Sequence, residues 1–274
     1  MTKILLLNTR PSRKRTNLHL DENVKNYFDH LEARGPKLGD TRTEPNNGLL
    51  IIGHCLKNHG YDVEYMDINS IEFNHFLETG RFFSFDEMME LIKDKADSFD
   101  YIFISSIIVG IDDALKTIDH LKNMYPQKIM VLGGTFPSLK PDYCIENSSG
   151  IDVLISGEGE EISPRVVKAF DTNDFALLSQ SPGVIYRKSR DADYTRNKGF
   201  IIVDIQKLGK LAYPDWSLLE GNPASRIFRI MTTRGCGFKC SFCVPSHMCG
   251  HRVRVYEEDL VIDMIQQVKD NFQA

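Results

Sequence analysis

Apolar residues along the first half of the chain fall into short runs and helix-spaced stripes that alternate. Lys3–Asn8 (KILLLN) is a near-continuous apolar run, the pattern of a strand buried on both faces. Residues 47–59 (NGLLIIGHCLKNH) space their apolar positions for a helix, open on asparagine and stop at Gly60. Tyr61–Asp67 alternates as a strand does. Ser84–Ala96 predicts a helix with Ser84 as N-cap and acids in its first turn. Tyr101–Ser106 (YIFISS) predicts a third strand, 111–124 a third helix ended near Pro126, and Lys128–Leu132 a fourth strand running into Gly133-Gly134. A fifth, Ile151–Ile155, runs into Gly157-Glu158-Gly159-Glu160.

Strands alternating with helices predict an α/β domain with a parallel sheet covered on both faces. Five such strands fit a doubly wound, flavodoxin-like order, and ligands in such sheets sit beyond the carboxyl ends of the strands. The loops after Asn8, Ser106, Leu132 and Ile155 are therefore the candidate site. The long polar connection 9–46 follows the first strand and could cover that site or be a plain insertion.

Residues 171–225 change character. SPGVIYRK and KGFIIVDI read as two strands with a polar stretch between them, followed by a Pro-containing segment with the single tryptophan. This predicts a linker with a small hairpin. Arg226–Thr232 reads as a further strand, and 257–272 as an amphipathic helix with Val261, Met264, Ile265, Val268 and Phe272 on one stripe. The expected division is 1–170, 171–225 and 226–274.

The chain has 274 residues and a formal net charge of −5, which argues against a dedicated surface for nucleic acid or anionic membrane. No apolar stretch approaches the roughly 18 residues of a membrane span, and the opening has no signal-peptide pattern. A cytoplasmic location is expected. Four of the six cysteines fall between 236 and 249, and so tight a cluster points to metal rather than to a disulfide framework. Cys55 and Cys144 are expected to be core thiols. The spacing Cys236-x3-Cys240-x2-Cys243 offers three thiolates, one short of full ligation of a [4Fe–4S] cluster, so one iron would stay open. By spacing alone a zinc site remains open too, with His247, Cys249 or His251 as its fourth ligand.

The loop TTRGCGFKCSFC, with Phe242 before the third cysteine and an apolar run before the first, resembles the signature of the radical-SAM superfamily. That resemblance implies a [4Fe–4S] cluster on Cys236, Cys240 and Cys243. It also implies S-adenosylmethionine on the open iron, reductive cleavage to a 5′-deoxyadenosyl radical, and Phe242 beside the cofactor. The N-terminal half resembles the cobalamin-binding branch of that superfamily. Ser105-Ser106-Ile107 takes the place of the branch's Ser-x-Leu, Gly133-Gly134 follows after 25 residues, and Thr135-Phe136-Pro137-Ser138 and Gly157-Glu158-Gly159-Glu160-Glu161 also match. The implied cobalamin contacts are Ser105, Ser106, Gly133, Gly134, Thr135, Gly157 and Glu158. Methionine-synthase-type domains place a cobalt-ligating histidine after the first strand; here Asn8-Thr9-Arg10-Pro11 stands there.

The family implies methyl transfer to an unactivated position of a small-molecule substrate, with cyclisation or rearrangement as other chemistries, and an electron donor such as flavodoxin or ferredoxin. The resemblance spans residues 3 to 272 but reaches only the first strand, cluster loop and first helix of the radical-SAM barrel. The chain is therefore expected to be a fragment, weak in binding S-adenosylmethionine and prone to associate through 226–274. A second reading from another class is a cobalamin- or nucleotide-binding module without a complete catalytic domain.

Anaerobic reconstitution should load about four irons per chain with a broad visible charge-transfer band. Replacing Cys236, Cys240 or Cys243 by Ala should abolish that band, and Cys249→Ala should leave it. One bound zinc that requires Cys249 would contradict the cluster.

Overall fold

Ile4 to Leu7 are wholly shielded from solvent, and a strand apolar on both faces belongs in the middle of a covered sheet. In the computed structural model, which describes residues 1–10, 44–220, 228–241, 243 and 248–272, β1 (Lys3–Asn8) lies between β2 (Asp62–Asp67) and β3 (Tyr101–Ser105). β4 (Ile129–Gly133) and β5 (Val153–Ile155) continue the sheet, and all five strands are parallel. The order β2-β1-β3-β4-β5 is the flavodoxin-like arrangement that the alternating pattern predicts. Two antiparallel strands, β6 (Val184–Tyr186) and β7 (Thr195–Arg196), extend it to seven.

The pleat of β1 divides the core into two layers. Ile4 and Leu6 face α1 (Asn47–Asn58) and, across the same face, helix Ile162–Thr172. Leu5 and Leu7 face α3 (Phe85–Ala96) and α4 (Ile111–Met124). Asn46 caps α1 by accepting from the Leu49 N–H at 3.1 Å, and Ser84 and Glu87 form a full capping box on α3. Helix α2 (Ile68–Thr79) follows β2, α5 (Thr135–Leu139) and α6 (Pro141–Asn147) follow β4, and the helix over Ile162–Thr172 is α7. The C-terminal helix is α8 (Glu258–Phe272). Among the described residues no helix is long and apolar enough to cross a membrane.

Three expectations change. The hairpin pairs differently: β6 comes from SPGVIYRK, but its partner Thr195–Arg196 lies in the polar stretch, while KGFIIVDI supplies a single parallel bridge from Ile201 to Gly157. An edge strand of two exposed residues buries neither face, so it carries no apolar alternation. The run beginning at Arg226 lies partly outside the described residues, and its described part, 228–232, is not strand. Phe228 there packs edge-on to Trp216 at 5.3 Å and against Phe272 at 4.6 Å, so its apolar character serves side-chain packing. The short strand that follows, β8 (Thr233–Arg234), pairs antiparallel with β9 (Arg254–Val255). On α8, Met264 and Val268 are buried, but Ile265 faces solvent beside Ile262. The polar connection 11–43 lies outside the described residues.

Gly157 sits at φ +102, and a Cβ there would meet the backbone carbonyl of Ile201 and lie 2.6 Å from its nitrogen. Gly157→Ala should cost about 1–3 kcal/mol from a conformation that side chains resist. The urea midpoint should fall at unchanged slope.

Candidate cofactor site at the carboxyl edge of the sheet

Two cavities open where the strands end. The first, about 450 Å³, lies between α1 and the ends of β3, β4 and β5. Its base is apolar: Phe103, Val131 and Ile155 from the strands, Leu49 and Ile52 from the helix. Its rim carries Ser105, Gly133, Gly134 and Thr135, and the opposite wall is Thr233, Arg234, Gly235 and Cys249. The size is that of a small-molecule site. The second cavity, about 530 Å³, lies over β1 and β3, with Asn8, Arg10, Asn46, Asn47 and Asn69 on its walls beside apolar Pro45, Ile107 and Met231. Ser105 and Met231 border both.

The sequence-predicted residues other than Phe242 have definite places. Ser105 ends β3 in register with Asn8 on one side and Gly133 on the other. Ser106 is buried; its N–H donates to the Gly133 carbonyl at 3.0 Å and its hydroxyl to the Ile107 carbonyl at 3.1 Å. Gly134, at φ +105, lies so close to the backbone of Ser106 that any Cβ would collide with it. Gly133 differs: the nearest atom to a Cβ there is the Ile155 carbonyl oxygen at 3.8 Å, so a side chain would grow into the cavity. Thr135 is exposed at the first position of α5. Gly157 closes on Ile201, and Glu158 accepts from the Val203 N–H at 2.8 Å while pairing with Arg254. Phe242 lies outside the described residues.

The sequence reading left out Ser138 as a connector. Its hydroxyl donates to the Gly134 carbonyl at 2.7 Å and accepts from the Gly157 N–H at 2.9 Å, tying the β4 loop to the β5 loop. It also left out Arg234, which pairs with Glu160; an arginine two residues before the first clustered cysteine was the available signal. Arg254 is buried against Glu158, whereas Arg252 is exposed.

An apolar slot edged by glycine backbone and a hydroxyl suits the flat ring and polar linker of a nucleotide tail, so the residues present fit cobalamin. No histidine lines either cavity among the described residues.

The cysteine loop joins β8 to β9. Its first half-buried thiol, Cys236, follows Gly235 of the cavity wall, Cys240 is exposed, and the Cys243 N–H donates to the Cys240 carbonyl at 3.1 Å. Three thiols suit an iron–sulfur cluster in donor chemistry. Among the described residues no group of three His, Cys, Asp or Glu side chains is placed to hold a metal ion. Metal ligation orders such loops locally.

Residues 41–167 match the B12 binding domain family. The chain is 25% identical over 175 residues to the anaerobic magnesium-protoporphyrin IX monomethyl ester cyclase of Cereibacter sphaeroides, covering 62% of this chain and 28% of that protein. It is 20% identical over 263 residues to the cytidylyl-2-hydroxyethylphosphonate methyltransferase of Streptomyces wedmorensis, covering 82% and 48%. It is 25% identical over 171 residues to a cobalamin-dependent radical SAM methyltransferase of Streptomyces tokunonensis, covering 61% and 25%. The chain thus spans between about a quarter and a half of these relatives. Four of the five parallel strands, β2 to β5, fall within the stretch that matches the B12 binding domain. The chain is similar to members of the cobalamin-binding radical-SAM family.

Burial pushes the Cys55 thiol up to about 12, helped by Glu160, and burial alone does the same to Cys144. Cys249 is also raised, by burial and then by Glu158. The thiolate is the reactive form. Iodoacetamide at about pH 8 should therefore label Cys240 fastest and leave Cys55 and Cys144 unmodified, as peptide mass spectrometry would show.

Proposed function

We propose that this chain serves a cobalamin-dependent radical-SAM enzyme, with cobalamin in the β3–β5 cavity and a [4Fe–4S] cluster on Cys236, Cys240 and Cys243. The observation that carries this reading is the cavity itself. One wall is the glycine-edged carboxyl end of β4, and the opposite wall is the strand that leads into Cys236. When bound, the cluster with S-adenosylmethionine supplies reductive sulfonium cleavage, and cobalamin supplies a transferable methyl group. The chain's own residues bind and orient. Ser105 offers a hydroxyl at the rim, and the bare backbone at Gly133 admits a ring. Leu49, Val131 and Ile155 exclude water from the slot. The three thiolates leave one iron open for the methionine amino and carboxylate groups.

Methyl transfer is the proposed reaction, because two of the three relatives described above bear the name methyltransferase. The substrate is a small molecule, and electrons come from a flavodoxin- or ferredoxin-class donor. A second reading, a cobalamin-binding module, is favoured by one observation: the family model that matches, over residues 41–167, is that of the B12 binding domain and stops before the cysteine loop. Adding S-adenosylmethionine and a low-potential reductant separates the two, since only the enzyme releases 5′-deoxyadenosine.

Hydroxocobalamin should bind, and Gly133→Val should weaken it about tenfold or more by filling a packed slot. The cob(II)alamin spectrum should lack nitrogen hyperfine coupling from a protein histidine. Equal affinity of wild type and Gly133→Val, or a histidine nitrogen on cobalt, would count against this placement.

A further inference from the structure

Both strands that carry the cysteine loop are gripped by the loop after β5. Arg234 on β8 stands opposite Arg254 on β9. Like charges facing each other across a two-stranded ribbon repel, and here both are answered by the acids of Gly157-Glu158-Gly159-Glu160. Arg254 holds Glu158 with a two-pronged grip, Nη1 to Oε2 at 2.6 Å and Nη2 to Oε1 at 2.8 Å, and Nη1 also donates to the Val203 carbonyl at 2.7 Å. Arg234 pairs with Glu160 and lies 3.6 Å from Glu158. Its Nε donates to the Tyr256 hydroxyl at 2.6 Å and its Nη2 to the Ala212 carbonyl at 2.8 Å. None of the four charged side chains is more than 14% exposed.

We propose that Glu158, Glu160, Arg234 and Arg254 are positioning residues that fix the cysteine loop against the cavity at the ends of β4 and β5. The proposal rests on reading that cavity and that loop as neighbouring cofactor sites, but it concerns only this chain's side chains. A ribbon with two residues per strand is too short to hold its own place. Forked guanidinium–carboxylate pairs set direction as well as distance. The two acids belong to the same loop that closes on Ser138 and Ile201, so cavity rim and cysteine loop share one anchor.

Hydrogen–deuterium exchange on the intact chain tests this. Glu158→Gln and Glu160→Gln should speed exchange of amides in 233–236 and 252–256 by about tenfold or more. In Glu158→Gln the amide of Val203 should speed up with them, while Ile4–Leu7 and Ile102–Ile104 should keep their protection. Glu160→Asp, which keeps the charge, should lose less protection than the near-isosteric Glu160→Gln, a ranking that simple space-filling would reverse. Unchanged exchange in the ribbon, or a greater loss in Glu160→Asp than in Glu160→Gln, would overturn the proposal. Should any variant lose the fold, the unaltered chain decides under increasing urea. The ribbon amides and Val203 must open in one step, and separate opening overturns the proposal. Iron and cobalamin binding by the same wild-type preparation tests the cofactor reading separately: their absence would remove that reading, and the exchange result would still decide whether the four residues position the loop.

Discussion

Two arginines from the C-terminal segment, buried against two glutamates of the β5 loop, hold the carboxyl edge of this sheet together. Four charges so shielded gain little net stability from pairing, because each has given up water. Removing one is another matter, since its partner is left charged and buried, at a cost of about 3–5 kcal/mol. The alternating Gly-Glu sequence explains how one short loop can do this. Gly157 turns at φ +102 against Ile201, and a Cβ on Gly159 would stand 2.9 Å from Ile52. Glycines thus press the loop onto its neighbours while the intervening acids reach the arginines.

Burial of charge alone does not mark a site, as the other end of the sheet shows. Lys122 donates to Asp152 at 2.7 Å, Arg187 lies 3.5 Å from the same carboxylate, and the Met130 N–H donates to it at 2.9 Å. Burial lowers the pKa of Lys122 while Asp152 opposes the shift. These groups pin the start of β5 to α4 and β4, on the side away from the cavity, with Lys122 and Asp152 taken up by backbone and by each other. The distinguishing feature of the Glu158–Arg254 set is its place between two segments that face one cavity.

Four of the five parallel strands were legible as short apolar runs buried on both faces, and β2 by its alternation of buried and open positions. Helix α2 was not: Ile68, Ile71, Phe73 and Phe76 do not fall on one stripe, and its signals are the Asp67 cap and Gly80 in the left-handed region. At the site, Gly133 and Gly134 were legible from their position after a strand, but their roles were not alike. Gly134 serves a close approach to Ser106, and only Gly133 faces open space. The partners of Glu158 and Glu160 were invisible to local pattern, since Arg254 and Arg234 are 96 and 74 residues away. Periodicity reports which face a residue takes, not which distant charge meets it.

The loop after β1 completes the division of labour at this edge. Asn8 donates to Asp67 at 2.9 Å and accepts from Asn46 at 3.2 Å; burial raises the Asp67 carboxyl, against the pull of the Asn8 and Ser70 donors. Arg10 is buried between Glu72 and Asp113 and donates to the Phe83 carbonyl at 2.7 Å. A guanidinium has no lone pair to give a metal, and this one is already bound on three sides. This cation locks α2 and α4 to the end of β1. The cavity above it mixes amides and hydroxyls with charged Glu44 and Arg229 and apolar Ile107 and Met231, while the neighbouring cavity is apolar at its base. Ser105 and Met231 stand on the boundary, so a ligand spanning both would meet hydrogen-bonding groups on one side and a dry slot on the other.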